Sequence, residues 1–268
     1  MSTYLRLGLD SLNRRLNEVD TILDAANENF EVNQKLYSAL CRSAQVLLSA
    51  HFEGYLKDLV KNSLDDINLN SSFKNSNPSL KRKHCEYFFQ PQKDDNDKTL
   101  NQKISNLVLE FDELNPKFKK EFFTTYSENA NPKATVLDKI AQQYGIKNFF
   151  NQLKRSNLDE IFSNTKSENV ELRNQIRNNI LSCTENYPYT VTLDFLNIND
   201  EKVVTDDLWN SFLSNLMKRR HDIAHGRETE NVISHSEISN DRIKLEILIY
   251  AFTAFISFNS NPFPSDSN

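Results

Sequence analysis

The chain has 268 residues, of which 38 % are hydrophobic and 26 % charged, as in a globular protein. Only four glycines occur, and neither G-x-G-x-x-G nor G-x-x-x-x-G-K-[ST] is present, which excludes the common glycine-dependent nucleotide sites. The net charge of −5 argues against a protein that coats nucleic acid over its whole surface, but it leaves room for a local basic cleft. The three cysteines are far apart and predict neither a disulfide framework nor a cysteine zinc site.

We expect a soluble protein in the cytoplasm with no membrane contact. The amino terminus lacks the charged and then apolar pattern of a secretion signal. The longest apolar stretch, residues 247–258, is shorter than the roughly 18 residues that are needed to span a bilayer.

Two long helices are predicted at the start of the chain, because apolar residues recur there every three or four positions. The first stripe covers residues 5–26 and is interpreted as one arm of a helical hairpin in preference to a coiled-coil seam. The second helix is predicted over residues 34–64. The stripe of the first consists of Leu5, Leu9, Leu12, Leu16, Val19, Leu23 and Ala26, and that of the second of Tyr37, Cys41, Ala44, Leu48, Phe52, Tyr55 and Leu59.

The middle of the chain is more polar and carries no motif that we recognise. Residues 68–98 are predicted to form a loop region that is interrupted by a short segment, 81–89. The basic run at residues 81–84 is interpreted as a solvated turn, with phosphate contact as the alternative. Further helices are predicted over residues 100–114, 116–126, 134–144 and 169–183, and one short strand over 189–195, where the pattern has period two.

The last third contains two more predicted helices. A helix-start pattern at residues 205–207 precedes an apolar stripe, and this helix is expected to end at Gly226. A final helix is predicted over residues 242–258, and its segment 245–258 is apolar almost all round, as in a helix that is central in a bundle or shared with an oligomer interface. The pattern as a whole predicts an all-α fold and favours self-association. The stripe of the penultimate helix consists of Trp209, Phe212, Leu213, Leu216 and Met217.

The residues that could carry chemistry are concentrated in the segment KRRHDIAHGR, 218–227. On a helical projection Arg220 lies within the apolar stripe, so its guanidinium must reach solvent at the helix end, meet a buried acid or line an interface. His221 and His225 share a face because they are four residues apart, whereas Arg220 and His225 do not converge within one straight helix. The purely structural alternative pairs Arg220 with an acid and leaves His225 as a helix-terminal histidine.

The segment RHDIAHG, residues 220–226, resembles the R-x4-6-H signature of the HEPN domains, with His221 where asparagine is usual. The stretch LLSAHFEGYLKDLV, residues 47–60, is similar to the opening helix of the RiboL-PSP and MAE-type HEPN groups. The resemblance implies a HEPN-like antiparallel helical bundle. It implies one domain, 1–268, with a long and mostly helical insertion at 68–200 between the N-terminal hairpin and the motif-bearing helices.

The resemblance also implies a metal-independent endoribonuclease that needs no cofactor. Such an enzyme uses the 2′-hydroxyl of RNA as nucleophile and leaves 2′,3′-cyclic phosphate and 5′-hydroxyl ends. Transferred to this chain, Arg220 binds the scissile phosphate, His225 is the acid–base residue and His221 is a polar auxiliary. Arg219 is the alternative to Arg220, because its spacing from His225 also satisfies the signature.

Five residues are expected around these groups, by position or by charge. Lys218, Arg219 and Arg227 are candidate substrate-binding cations, and no metal ligand is assigned. Asp222 is a candidate support within the motif, and Glu53 is another if its carboxylate pairs with Arg220 across the bundle.

The family resemblance extends to partners and biological role. It implies a homodimer in which the two copies of the motif form one composite site, with RNA as substrate. It also implies a toxin or antiphage-defence effector, for which an antitoxin or a regulatory partner is expected, because a freely active ribonuclease would harm its host.

Two other functions are consistent with the same residues. His221 and His225 have the H-x-x-x-H spacing of a metal site, with Asp222 where H-E-x-x-H has its glutamate and with His235 as the only nearby third ligand. The second alternative is a non-catalytic HEPN module that binds RNA or mediates dimerisation.

Overall fold

Nine α-helices make up most of the described part of the chain. The computed structural model describes residues 2–89, 97–123, 132–199, 207–227 and 233–262, and no strand occurs within these ranges. The helices are α1 Tyr4–Glu28, α2 Gln34–Asn70, α3 Pro78–Glu86, α4 Asp97–Leu114, α5 Ala134–Gln143, α6 Phe149–Arg155, α7 Lys166–Cys183, α8 Leu208–Ala224 and α9 His235–Asn259. Three short 3-10 helices lie at Lys120–Phe122, Asn157–Phe162 and Asp194–Leu196. The predicted all-α fold class is confirmed.

The first two helices form an antiparallel hairpin. All seven predicted stripe residues of each helix are buried. The carboxylate of Asp66, near the end of α2, accepts hydrogen bonds from the backbone N–H groups of Tyr4 and Leu5 at 2.8 and 2.9 Å. Asp66 thus satisfies two of the free N–H groups at the start of α1 and fixes how the hairpin closes.

Helix α9 is the centre of the bundle. Nearly every residue from Arg242 to Ser257 is buried, whichever way it faces, against α1, α2 and α7. Helix α9 runs antiparallel to α1, because Arg242 pairs with Asp20 and Tyr250 with Asn13. The apolar surface of α9 from Arg242 to Ser257 is therefore covered within the chain, as expected of a helix that is central in a bundle.

A buried charge cluster joins α9 to α1 and α7. Glu246 is 2 % exposed, and its carboxylate contacts Arg242 at 2.6 Å and Arg173 of α7 at 3.1 Å. Arg242 also contacts Asp20 of α1 at 2.8 Å, and the hydroxyl of Tyr250 donates to Glu246 at 2.9 Å. A carboxylate this deeply buried needs such partners, so the cluster fixes the registers of α1, α7 and α9.

The middle of the chain differs from the sequence prediction first at a strand and at a helix that were both expected there. The strand that was predicted at residues 189–195 is wrong: no second strand is available to pair with it in the described ranges. Instead the Thr190 N–H donates to the Cys183 carbonyl, and the Tyr189 N–H donates to Asn261 Oδ1. The helix predicted over 116–126 reduces to the 3-10 turn Lys120–Phe122, and residues 124–126 lie outside the described ranges.

The helix starts and ends show which local signals were missed. Helix α2 continues to Asn70, six residues beyond the prediction, and α6 was not predicted at all. Helix α9 begins at His235, well before residue 242, because Ser234 and Glu237 form a capping box there. Residues 205 and 206 of the predicted helix start lie outside the described residues, and α8 has Asp207 as its N-cap.

The other predicted helices of the middle region are present with shifted ends. The predictions over 100–114, 134–144 and 169–183 correspond to α4, α5 and α7. Helix α7 packs along α9, and α5 contacts α8. Among the described residues, none of the helices combines the length and apolar character that crossing a bilayer requires. The assignment of residues 68–200 as an insertion within one domain stays a prediction.

Candidate active site at the end of α8

Helix α8 carries the motif to one end of the bundle. Its predicted stripe from Trp209 to Met217 is buried, and the Gln45 side chain of α2 donates to the Leu216 carbonyl at 3.4 Å. Because this packing ends at Met217, residues 218–227 extend beyond the packed part of the helix and are exposed or half-buried. The motif is therefore accessible to a large ligand.

A tight turn ends the helix within the motif. The His225 N–H donates to the His221 carbonyl at 3.0 Å, and the Arg227 N–H folds back to the Asp222 carbonyl at 2.9 Å. Gly226 has φ +65°, a backbone conformation that favours glycine. The helix ends two residues before the predicted Gly226, and the glycine acts as its C-terminal turn residue.

The two motif histidines lie side by side. The ring centroids of His221 and His225 are 4.2 Å apart, with an angle of 53° between the ring planes. His225 is exposed and His221 is half-buried. The shared face that the i, i+4 spacing predicts is confirmed, and it places two imidazoles within reach of one ligand.

Arg219 is held against α9 by an acid that the sequence analysis did not assign to the site. Its guanidinium donates to the Asp241 carboxylate at 2.7 Å and also to the Asn215 carbonyl at 3.3 Å. Burial raises the pKa of Asp241, and the positive charge of Arg219 opposes that rise. Asp241 directly precedes the final helix as predicted over residues 242–258, so it was not considered as a site residue. Its spacing of four and seven residues from the buried Leu245 and Leu248 placed it on an apolar face, which could have identified it.

A shallow hollow lies beside the motif, between two of its cations and two other polar side chains. Lys218 is exposed, and Arg220 is half-buried beside the apolar stripe. The hollow has a volume of about 320 Å³ and is lined by Asn215, Lys218, Arg219 and Asp222. Within a chain of net charge −5, this end of α8 is locally basic and suited to an anion.

The two predicted supporting acids lie in different places. The Asp222 carboxylate is 3.6 Å from the guanidinium of Arg227, so these two motif residues are together. Glu53 is paired with Lys57 at 2.8 Å, one turn further along α2. The ion pair that Glu53 makes is thus within α2 and not with the motif.

The third residue of the metal-site alternative has other contacts. The Nδ1 atom of His235 is 3.4 Å from the Tyr37 hydroxyl, and its ring packs edge-on against Phe30 and Tyr37. Within the described ranges, no three His, Cys, Asp or Glu side chains are grouped closely enough to hold a metal ion. The His221–His225 pair therefore has no third ligand there.

An all-α bundle with an exposed Arg-and-His motif at the end of its penultimate helix is the architecture expected of a HEPN protein. The chain belongs to the RiboL-PSP-HEPN family, whose match extends over residues 10–257. Membership of a HEPN family indicates a function in RNA cleavage or RNA binding. No curated protein and no solved structure matches the chain.

Proposed function

We propose that the protein is a metal-independent endoribonuclease whose site is the motif at the end of α8. The observation that carries the proposal is the accessible pair of imidazoles, His221 and His225, on the same basic helix end as Arg220. This combination supplies proton-transfer groups and a phosphate-binding cation in one place. The family match over residues 10–257 supports RNA as the ligand.

In the proposed reaction the 2′-oxygen of RNA attacks the adjacent phosphorus. A histidine takes the 2′-hydroxyl proton, the bond from phosphorus to the 5′-oxygen breaks, and a second proton donor protonates the leaving 5′-oxygen. The products are a 2′,3′-cyclic phosphate and a 5′-hydroxyl. We assign His225 to proton transfer, His221 to its support, and Arg220 to the negative charge that develops on the phosphate.

Arg220 is preferred to Arg219 as the phosphate ligand because its spacing from His225 matches the commoner form of the signature. The ion pair of Arg219 with Asp241 holds that guanidinium on α9. Lys218 and Arg227 extend the basic surface on either side and are assigned to neighbouring phosphates. Asp222 is assigned to holding Arg227.

We further propose that two copies form a composite site. The surface of α9 is covered within one chain, so the partner copy contacts the motif end of α8. Each motif then faces its symmetry mate, which brings an arginine of one copy near a histidine of the other. The biological role that we propose is that of a toxin or antiphage-defence effector, restrained by an antitoxin or another regulatory partner.

The test is RNA cleavage by the purified protein in excess EDTA, comparing wild type with Arg220→Ala and His225→Ala. We expect cleavage by the wild type and a loss of at least about a hundredfold in each variant, because each removes a group that acts on the transition state. Arg14→Ala and His51→Gln, on α1 and α2, are the matched controls and are expected to cut normally.

The proposal fails if the two motif variants cut as fast as their controls, or if a folded wild-type protein binds RNA without cutting it. The second result would favour the non-catalytic HEPN module. The composite site has its own test: equal mixtures of Arg220→Ala and His225→Ala are expected to regain part of the activity through mixed dimers. A mixture as inactive as either variant alone contradicts a shared site.

A further inference from the structure

A second basic and aromatic surface lies in the middle region, on elements separate from the motif helix. We call it the α3 surface. It is built from α3 and the turn after it, from the 3-10 helix that begins at Lys120 and from α5. The side chains that define it are Arg82, Lys83, Tyr87, Phe88, Lys119, Phe122 and Lys139.

The aromatic part of the α3 surface consists of Tyr87, Phe88 and Phe122, and we call these three rings the step. The ring of Tyr87 stacks on Phe122 with centroids 3.9 Å apart and only 12° between the planes. Tyr87 is nevertheless 57 % exposed. Because Phe122 covers one face of the ring, the exposed area belongs to the other face and the edge. Phe88 is 51 % exposed beside it and packs edge-on against Phe122.

The layer beneath the step is closely packed. His84 is buried, with its ring centroid 4.8 Å from that of Phe122 and 5.4 Å from that of Phe118. Phe73 stacks on Phe118 at 5.1 Å. An exposed tyrosine on such a base keeps its orientation, which lowers the entropy lost when a flat ligand stacks on it.

Cations lie close to the aromatic rings along the chain: Lys119 precedes the 3-10 helix of Phe122, and Arg82 and Lys83 lie on α3 just before Tyr87. Lys119 lies with its ammonium 5.7 Å from the centre of the Phe122 ring. Arg82 and Lys83 line a cavity of about 500 Å³ that also receives Lys139 from α5. The one acid of that cavity, Glu86, contacts Arg82 at 3.1 Å and Lys83 at 3.6 Å. The cavity therefore keeps a positive charge within an acidic chain.

We propose that the α3 surface binds single-stranded RNA, with an unpaired base stacked on Tyr87 and the neighbouring phosphates held by Arg82, Lys83 and Lys139. Exposed aromatic rings interleaved with cations are the usual means of holding unpaired nucleic acid without sequence preference. A base within a duplex has both faces covered, so the surface selects unpaired strands. This inference rests on the proposed function in that RNA is the ligand of both sites.

Binding is measured on the full chain carrying His225→Ala, so that the RNA stays intact. The probe is a fluorescein-labelled oligouridylate of about 16 nucleotides, read by anisotropy, beside a duplex of the same length. We expect Tyr87→Leu to weaken binding of the single strand about tenfold, because the stacking face is lost, and Tyr87→Phe to retain it. Tyr4→Leu is the matched control, since Tyr4 is an exposed tyrosine with Lys61 over its ring.

A second measurement does not depend on the aromatic step. Lys139→Gln and Arg82→Gln are each expected to lower the slope of log affinity against log salt by about 0.7, the value for one phosphate contact of a single strand. Lys61→Gln is the control, because Lys61 is paired with Asp65 one turn away, much as Arg82 is with Glu86. Circular dichroism checks that each variant is folded.

The inference is overturned if Tyr87→Leu binds the single strand as Tyr4→Leu does and the salt slopes do not change. In that case the α3 surface is left for a protein partner. It is also overturned if the duplex binds as tightly and with the same dependence on Tyr87. Tyr87-dependent binding by a wild-type protein that cuts nothing would support this inference while removing the proposed function. Cleavage by a protein whose RNA binding does not depend on Tyr87 would support the proposed function and overturn this inference.

Discussion

The guanidinium of Arg219 donates a hydrogen bond of 2.7 Å to the carboxylate of Asp241, which fastens the motif helix α8 to the central helix α9. Both side chains are largely buried, at 23 % and 14 % exposure. Of the two adjacent arginines that fit the motif spacing, one is thus engaged in holding the helix that presents the other.

We therefore predict that Arg219→Ala acts mainly on stability. Losing a charge-assisted hydrogen bond should lower the free energy of unfolding by about 1 to 3 kcal/mol, measured by urea titration. Asp241→Asn should have a similar effect, and the double variant should be much less destabilised than the sum, because both changes remove the same contact.

Cleavage separates this role from that of Arg220. Per folded molecule, Arg219→Ala is expected to cut RNA far better than Arg220→Ala. If Arg219→Ala were as inactive as Arg220→Ala while Asp241→Asn cut normally, Arg219 would be the phosphate ligand and our assignment would be reversed.

Gly226 controls the direction of the chain after His225. Its φ of +65° is unfavourable for other residues, although a Cβ atom there would meet nothing within 4 Å. Gly226→Ala is expected to lower the free energy of unfolding by about 1 kcal/mol through the backbone alone. It should also reduce cleavage, because relaxing that strain moves His225.

Asparagine tolerates this conformation better than alanine, so Gly226→Asn is the matched variant and should retain more stability and more activity. The measurements are urea unfolding and single-turnover cleavage. Equal losses in both variants would show that something other than the backbone angle matters at this position.

His84 is expected to make stability depend on pH. Burial, with the nearby charge of Lys119, lowers the pKa of His84 to about 4. The unfolded chain binds a proton at His84 below about pH 6.5, whereas the folded chain does so only near pH 4. Between these values the unfolded state binds more protons, so stability is lost as the pH falls.

At the acid end of that window, the free energy of unfolding that is lost because of His84 reaches up to about 3 kcal/mol. His84→Phe removes the titration and leaves an aromatic ring among the phenylalanines. Urea unfolding of both proteins from pH 7.5 to 4.5 is the measurement, and the variant should show the shallower decline. Parallel curves for the two proteins would refute a low pKa for His84.

The sequence was sufficient where periodicity decides the structure. The stripe from Leu5 to Ala26 predicted α1 within two residues of each end, because every member of it is buried. The penultimate helix was predicted for the same reason, because its stripe from Trp209 to Met217 is buried. Periodicity fails at helix starts, where side-chain caps decide: Thr165 with Glu168, and Ser234 with Glu237, begin α7 and α9 earlier than predicted.

Side-chain contacts between different helices could not be predicted from the sequence. The rotation of α8 against α9 determines that Arg219 meets Asp241, and no spacing within either helix contains that angle. Glu53 is the opposite case, because its partner Lys57 lies four residues further along the same helix, a pairing that the sequence does contain. The stretch 189–195 has the alternation of a strand, but a strand needs a neighbour with free backbone groups, and the described ranges provide none.

The central claim is that the motif end of α8 cuts RNA with the 2′-hydroxyl of the substrate as nucleophile. The most direct measurement offers one sequence to the wild-type protein as RNA, as DNA and as 2′-O-methyl RNA, in excess EDTA, and identifies the product ends. We predict that only the RNA is cut and that its products carry 2′,3′-cyclic phosphate and 5′-hydroxyl ends. Cleavage of the 2′-O-methyl strand at a comparable rate, or products with 5′-phosphate ends, would contradict the account.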